Sequence, residues 1–211
     1  NKNDYLKYPR NNKLDLSILK KLRVNYVFIP NKKEIYKFKR KSKIRLKKKD
    51  KILCAKHRKG HFEGVIDIMD RLTKLIRPKK IYMGEKDFQQ LYLVKKYIQK
   101  YYRSKVISCK TIRDKNKLAL SSRNLLLNKQ QLVKAGNLTK YLISLKKNIN
   151  KKKDIEKFLN KKKNELDDIF NISIEYLDLR NMFNLKNTNK IKNSKIFVAY
   201  YLNKVRLIDN F

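Results

Sequence analysis

Three short segments carry side chains whose types and spacing suit chemistry. In Gly84-Glu85-Lys86-Asp87, with Gln89 and Gln90 just beyond, a lysine sits inside a glycine turn between an apolar run and a helical pattern. Backbone N–H groups at such a helix start, with a cation beside them, suit a phosphate. The competing reading is an ordinary strand-to-helix turn with Asp87 as its capping side chain. The second segment is Lys117-Leu118-Ala119-Leu120-Ser121-Ser122-Arg123-Asn124. Two hydroxyls and a guanidinium in a polar loop can wrap a polyphosphate, the arginine in a forked grip. Alternatively, its serines cap the helix that follows. The third, His57-Arg58-Lys59-Gly60-His61-Phe62, holds both histidines of the chain. A metal site there is disfavoured, because no third ligand of suitable type lies near and Lys56 and Lys59 repel a cation. Substrate positioning or helix capping is the better reading of this pair.

Secondary structure must place these segments. Leu16, Leu19 and Leu22 repeat at helical spacing within residues 15–23. The run Val24 to Ile29, closed by Pro30, reads as a buried strand. Residues 32–51 are lysine-heavy and weakly periodic, a surface hairpin or loop. Phe62, Val65, Ile66, Met69, Leu72 and Ile76 predict a helix over 62–76, ended by Pro78. A strand over 80–83, a helix over 87–102 and a strand over 105–112 follow. This rhythm predicts a parallel sheet with crossover helices. Beyond residue 112 the pattern changes to a polar loop, a long helix with Leu132, Leu138, Leu142 and Leu145 on its stripe, and a helix over 155–170. Strands are expected at 172–179, 196–202 and 205–208, the last two joined by an Asn203-Lys204 turn. The fold class is therefore α/β, with residues 1–112 as a parallel-sheet domain and 113–211 as a smaller C-terminal α+β domain carrying the serine loop.

Composition bounds the function classes. The 211 residues are 41% hydrophobic, enough for a core despite 36% charged residues. Lys+Arg number 57 against 18 Asp+Glu, a net charge of +39. A nucleic-acid binder would gain from such charge through counterion release. Here, however, the lysines are spread over every helix and loop and accompany abundant Asn, Ile and Tyr. That pattern fits compositional drift on exposed positions better than an RNA-binding face with Arg, Gly and aromatics clustered on one element. Cys54 and Cys109 read as reduced, partly buried thiols of a cytoplasmic protein. No apolar run approaches the roughly 18 residues needed to span a bilayer. The chain opens on Asn1 rather than Met, so it reads as a fragment or a processed product.

Taken together, the motifs resemble one family. Gly60-His61-Phe62-Glu63-Gly64-Val65, Met83-Gly84-Glu85-Lys86-Asp87-Phe88-Gln89-Gln90 and Leu118-Ala119-Leu120-Ser121-Ser122-Arg123-Asn124 are similar, in order and spacing, to motifs of the pantothenate synthetases. Tyr8-Pro9-Arg10 and the closing Val205-Arg206-Leu207-Ile208-Asp209-Asn210 fit as well. The resemblance implies a Rossmann-like nucleotidyl-transferase domain plus a smaller C-terminal domain, working as a homodimer. It implies an ATP- and Mg2+-dependent condensation of pantoate with β-alanine through a pantoyl-adenylate. By position it puts Gly84, Glu85, Lys86, Asp87, Leu120, Ser121, Ser122, Arg123 and the backbone of Ile112 against ATP. It gives Gln90 to pantoate and makes Lys86 and Arg123 the catalytic cations. The metal ligands stay unassigned. It also implies that the family's opening strand, a His-x-Gly-His-type ATP motif and a glutamine shared by both substrates precede residue 1. The chain alone is therefore expected to be inactive or nearly so. A basic RNA-binding protein on the same fold is the alternative.

Overall fold

A computed structural model describes residues 11–37, 43–149 and 153–211. Tyr8-Pro9-Arg10 lies outside the described residues. The chain forms two compact units, residues 1–43 and 44–211.

The first unit begins with α1 (Asn12–Lys21). The Asn11 side chain accepts from Leu14 N at 3.0 Å, and Lys20 and Lys21 complement the dipole at the far end. Residues 24–30 form no strand, and they are not buried: Tyr26 is 93% exposed. The expected buried strand is thus overturned. Its side chains have strand character, but a strand also needs a ladder partner, and among the described residues none pairs with it. In the lysine-rich stretch expected as a hairpin or loop, residues 32–35 form a four-residue helix, α2 (Lys32–Ile35), residues 43–47 are irregular, and 38–42 lie outside the described residues. The sequence Asn-x-x-Glu makes α2, as a reciprocal capping box between Asn31 and Glu34.

The second unit has a 3-10 turn (Lys48–Asp50), then a short helix, α3 (Cys54–His57), and α4 (His61–Ile76). Next comes a right-sized crossover unit: β1 (Lys80–Gly84), α5 (Phe88–Tyr101) and β2 (Lys105–Cys109). β1 and β2 pair in parallel, Lys80 opposite Lys105 and Gly84 opposite Cys109. α4 starts after Gly60, whose φ of 77° suits glycine. β2 stops three residues before Ile112, because the Ile112 carbonyl is taken by Leu120 N at 2.9 Å in a tight loop. Cys109 is exposed rather than partly buried, and Cys54 is buried.

The long helix α6 (Lys129–Asn148) begins at a second capping box, Asn128 with Gln131. α7 (Ile155–Phe170) is capped by Asp154 and closed by Asn171 in the left-handed region. The antiparallel sheet follows in the order β3 (Ser173–Asn181), β4 (Ser194–Leu202), β5 (Val205–Asn210). Asn203, at φ 53°, turns β4 into β5. Alternation along β4 gives the sheet two apolar faces. Ile196, Val198, Tyr200 and Leu202 join the α6 and α7 side chains in one core, whereas Phe197 joins Phe88, Leu91, Val94 and Ile98 of α5 in another. The sheet is a wall shared by two cores, and its α5-side face brings β5 up to the glycine turn.

Candidate active site

The Gly84–Asp87 turn leaves β1 as a single 3-10 turn (Glu85–Asp87) and runs straight into α5. Gly84 has φ −70°, an ordinary extended value, and a Cβ there would meet nothing within 4 Å. Its backbone is thus open to close approach from outside. Asp87 makes no capping bond from its side chain, so its expected role as N-cap does not hold. The Lys86 side chain is mostly buried, and its Nζ lies 3.9 Å from the Asp87 carboxylate. The Glu85 carboxylate is turned away towards Lys195 Nζ, 3.3 Å off.

One cleft gathers Lys86, Asp87 and Gln90 with Arg58, His61 and Asn210 on its wall. Gly84, Glu85, Ile112 and Leu120 to Arg123 are not among its lining residues. Gln89 turns out to be structural: its Nε2 donates to Ile52 O at 2.7 Å and Asp50 O at 3.3 Å, pinning residues 50–52 to α5. Neither histidine caps α4, whose N-terminus carries no side-chain cap bond. His61 Nε2 instead meets Arg58 Nη1 at 2.9 Å, and His57 Nδ1 lies 3.6 Å from Glu175.

The serine loop is built from its own polar groups. Asp114 Oδ1 accepts from Asn116 N (2.8 Å) and Leu118 N (2.9 Å), and Arg113 bridges Ala119. Leu118 and Ala119 are buried, and Leu118 anchors the loop on the α6 core, while Leu120 and the exposed face of Ile112 stand outward. α6 comes close because residue 136 is glycine. A Cβ there would lie 2.8 Å from Asn116 Cβ. Ser121 accepts from Arg123 N at 3.3 Å and starts a 3-10 turn (Ser122–Leu126), while the long helix has its own cap. Ser121 therefore caps only this short turn, leaving Ser122 and the half-buried Arg123 beside it.

Sequence reasoning assigned no role to the strand that ties these pieces together. β5 holds the glycine turn through Asn210, whose Nδ2 donates to Glu85 O (2.8 Å) and Lys86 O (3.0 Å). It holds the serine loop through Asp209, which takes a forked pair from Arg113 at 2.7 and 2.8 Å. The Arg206 carbonyl accepts from Arg123 Nη1 at 2.9 Å. The signal was an Asp-Asn pair ending an apolar strand, where both side chains are buried. Beside it, the Arg206 side chain grips Glu175 and reaches Cys54 Sγ at 3.4 Å, and Cys54 meets Tyr176 Oη at 3.1 Å. Burial works against the Arg206 charge, but the hydrogen bonds and charges of Glu175 and Cys54 together outweigh it and hold the guanidinium above its ordinary value. Burial, with Cys54 alongside, pushes the Tyr176 phenol up.

Among the described residues no group of three or more His, Cys, Asp or Glu side chains is placed to hold a metal ion. No helix of the described residues is long and apolar enough to cross a membrane.

Comparison with known proteins agrees over the full length. The family model described as Pantoate-beta-alanine ligase matches residues 1–211. The pantothenate synthetase of Clostridium botulinum (strain ATCC 19397 / Type A) is 37% identical, covering 100% of this chain and 76% of its own length. That of Endomicrobium trichonymphae is 35% identical over 98% of this chain and 74% of its own. Among solved structures, the pantothenate synthetase of Thermus thermophilus superposes with a TM-score of 0.88 at 27% identity, covering 99% of this chain and 76% of that one. The Francisella tularensis pantoate-beta-alanine ligase, complexed with beta-gamma ATP and beta-alanine, gives 0.81 at 32% identity, with 100% and 73% covered.

Proposed function

The chain belongs to the pantoate–β-alanine ligase family, and from that membership we propose that its cleft serves an ATP-dependent condensation of pantoate with β-alanine through a pantoyl-adenylate. A carboxylate acylates an amine poorly until its oxygen is attached to a good leaving group. Attack of the pantoate carboxylate on the α-phosphorus expels pyrophosphate and forms the mixed anhydride. The β-alanine amine then displaces AMP. The first step builds negative charge on the leaving pyrophosphate, and preorganised cations there lower the barrier. The second needs positioning and exclusion of water.

In this reading Lys86 and Arg123 are the cations. Gly84, Glu85 and Asp87, with Leu120, Ser121, Ser122 and the Ile112 backbone, embrace the nucleotide. Gln90 orients pantoate. The observation that carries the reading is the placement of Lys86 and Gln90 on one cleft wall, with the serine–arginine loop anchored to the strand that anchors their turn. Magnesium would enter with the nucleotide and offset the charge of its phosphates, and no residue of this chain is assigned to it. Residues 1–112 serve as the nucleotide and pantoate domain, residues 113–211 as the part that brings the serine loop, and the working unit is a homodimer in the cytoplasm.

Two measurements test this. Calorimetric titration of ATP with pantoate present should show binding that weakens about tenfold or more in Lys86→Ala and Arg123→Ala, as the loss of a charge-assisted contact implies. Unchanged affinity in both variants refutes the assignment. If RNA instead binds with an affinity that survives high salt while ATP does not bind, the RNA reading replaces this one.

A further inference from the structure

We infer that Asn210 is a positioning residue for the Glu85–Lys86 turn, and through it for the lysine on the cleft wall; its meaning for catalysis rests on the nucleotide reading above. Asn210 is 3% exposed on β5. Its Nδ2 donates to two successive carbonyls of the turn, at 2.8 and 3.0 Å, across 125 and 124 residues of sequence. Those acceptors settle the orientation of the carboxamide. With oxygen and nitrogen exchanged, Oδ1 would face two carbonyl oxygens.

The other half of the side chain says what this geometry is for. Asn210 Oδ1 is buried and has no partner. Leaving a buried acceptor unpaired is unfavourable, and an apolar residue of similar size would avoid it. Packing alone therefore does not account for an asparagine. The double tie to the turn does. It fixes both peptide groups flanking Lys86 Cα, on the cleft that Asn210 itself lines with Lys86 and Gln90. The adjacent Asp209 is clamped by Arg113, so the strand end to which the turn is tied is itself held.

The test uses the 211-residue chain with Asn210→Ala, Asn210→Asp and, as a control for β5 packing, Leu207→Ala, whose side chain joins the opposite core. Hydrogen exchange without ligand should speed up about tenfold or more in residues 84–90 for both Asn210 variants, with α6 and α7 unchanged. The Leu207 variant should not single out that peptide. In Asn210→Asp the introduced acid regains a donor when protonated, so protection of 84–90 should return at acidic pH; in Asn210→Ala it should not. Exchange at 84–90 within twofold of the parent, or acceleration shared equally by all three variants, overturns the inference. An ATP titration keeps the two readings apart. If the parent chain binds no ATP but the exchange pattern holds, the tie stands and the nucleotide reading falls. If the parent binds ATP and Asn210→Ala binds it within twofold as tightly, the tie does not position Lys86 and the inference is overturned.

Discussion

The Arg113–Asp209 pair offers the sharpest test of how the serine loop is held. Arg113 donates through both terminal nitrogens to the Asp209 carboxylate, and also to Lys117 O (2.9 Å) and Asn210 O (3.2 Å). Its guanidinium lies 5.0 Å from the centre of the Phe211 ring. The side chains are 20% and 5% exposed. Arg113→Ala therefore strands a carboxylate that is almost wholly buried and keeps only the Asn210 N–H, at 2.7 Å, as a donor. Removing one partner of a buried pair costs about 3–5 kcal/mol. The lower end applies because water reaches the arginine, so about 3 kcal/mol is expected. For a domain of this size that lowers Tm by roughly 6–12 °C. Asp209→Asn should cost less, about 1–2 kcal/mol, since the guanidinium keeps two carbonyls and a ring face. The double variant should fall short of the sum by at least about 1 kcal/mol. Urea unfolding followed by circular dichroism reads all four corners of the cycle. Additive losses, or a cost below about 1 kcal/mol for Arg113→Ala, would show that the pair does not hold the loop to β5.

Two further outcomes follow from the cores and the buried phenols. Leu166, wholly buried between α7 and the sheet, should cost about 2–5 kcal/mol when cut to alanine, measured by the same unfolding assay. Burial raises the pKa of both Tyr176 and Tyr200, with the Asp209 carboxylate adding to the effect at Tyr200. The unfolded chain releases these protons near the ordinary phenol value of about 10, whereas the folded chain retains them. Stability contributed by the neutral phenols is therefore full below about pH 10 and is lost as pH rises through the folded values. Tyr200→Phe should flatten that alkaline limb, and a limb of unchanged steepness would contradict it.

Much of the fold was legible because its elements are local. α7 begins and ends where periodicity places it, and α4 and α5 shift by only a residue or so, since each apolar stripe and its stop signals lie within one window. The run 24–29 misled because apolarity describes a strand's appetite, not its partner. The glycine turn and the serine loop stood out as candidate sites from residue types alone. What joins them was not, because Arg113 and Asp209 are separated by 96 residues and Asn210 and Glu85 by 125. A pair of buried polar residues at the end of an apolar strand was the available clue, and it pointed to a tie without naming the other end.

The placement of that tie on β5 also sets a clock. A ribosome makes the glycine turn first and the strand that secures it some 125 residues later. At about 5–20 residues per second, the turn waits roughly 6–25 s before Asn210 exists. During that interval β1, α5 and β2 can assemble from neighbouring contacts, but the lysine turn has no anchor and the serine loop no clamp. The turn and its tie can therefore come together only after β5 has been made. A nascent chain that stops short of β5 would lack the strand to which both the turn and the loop are tied.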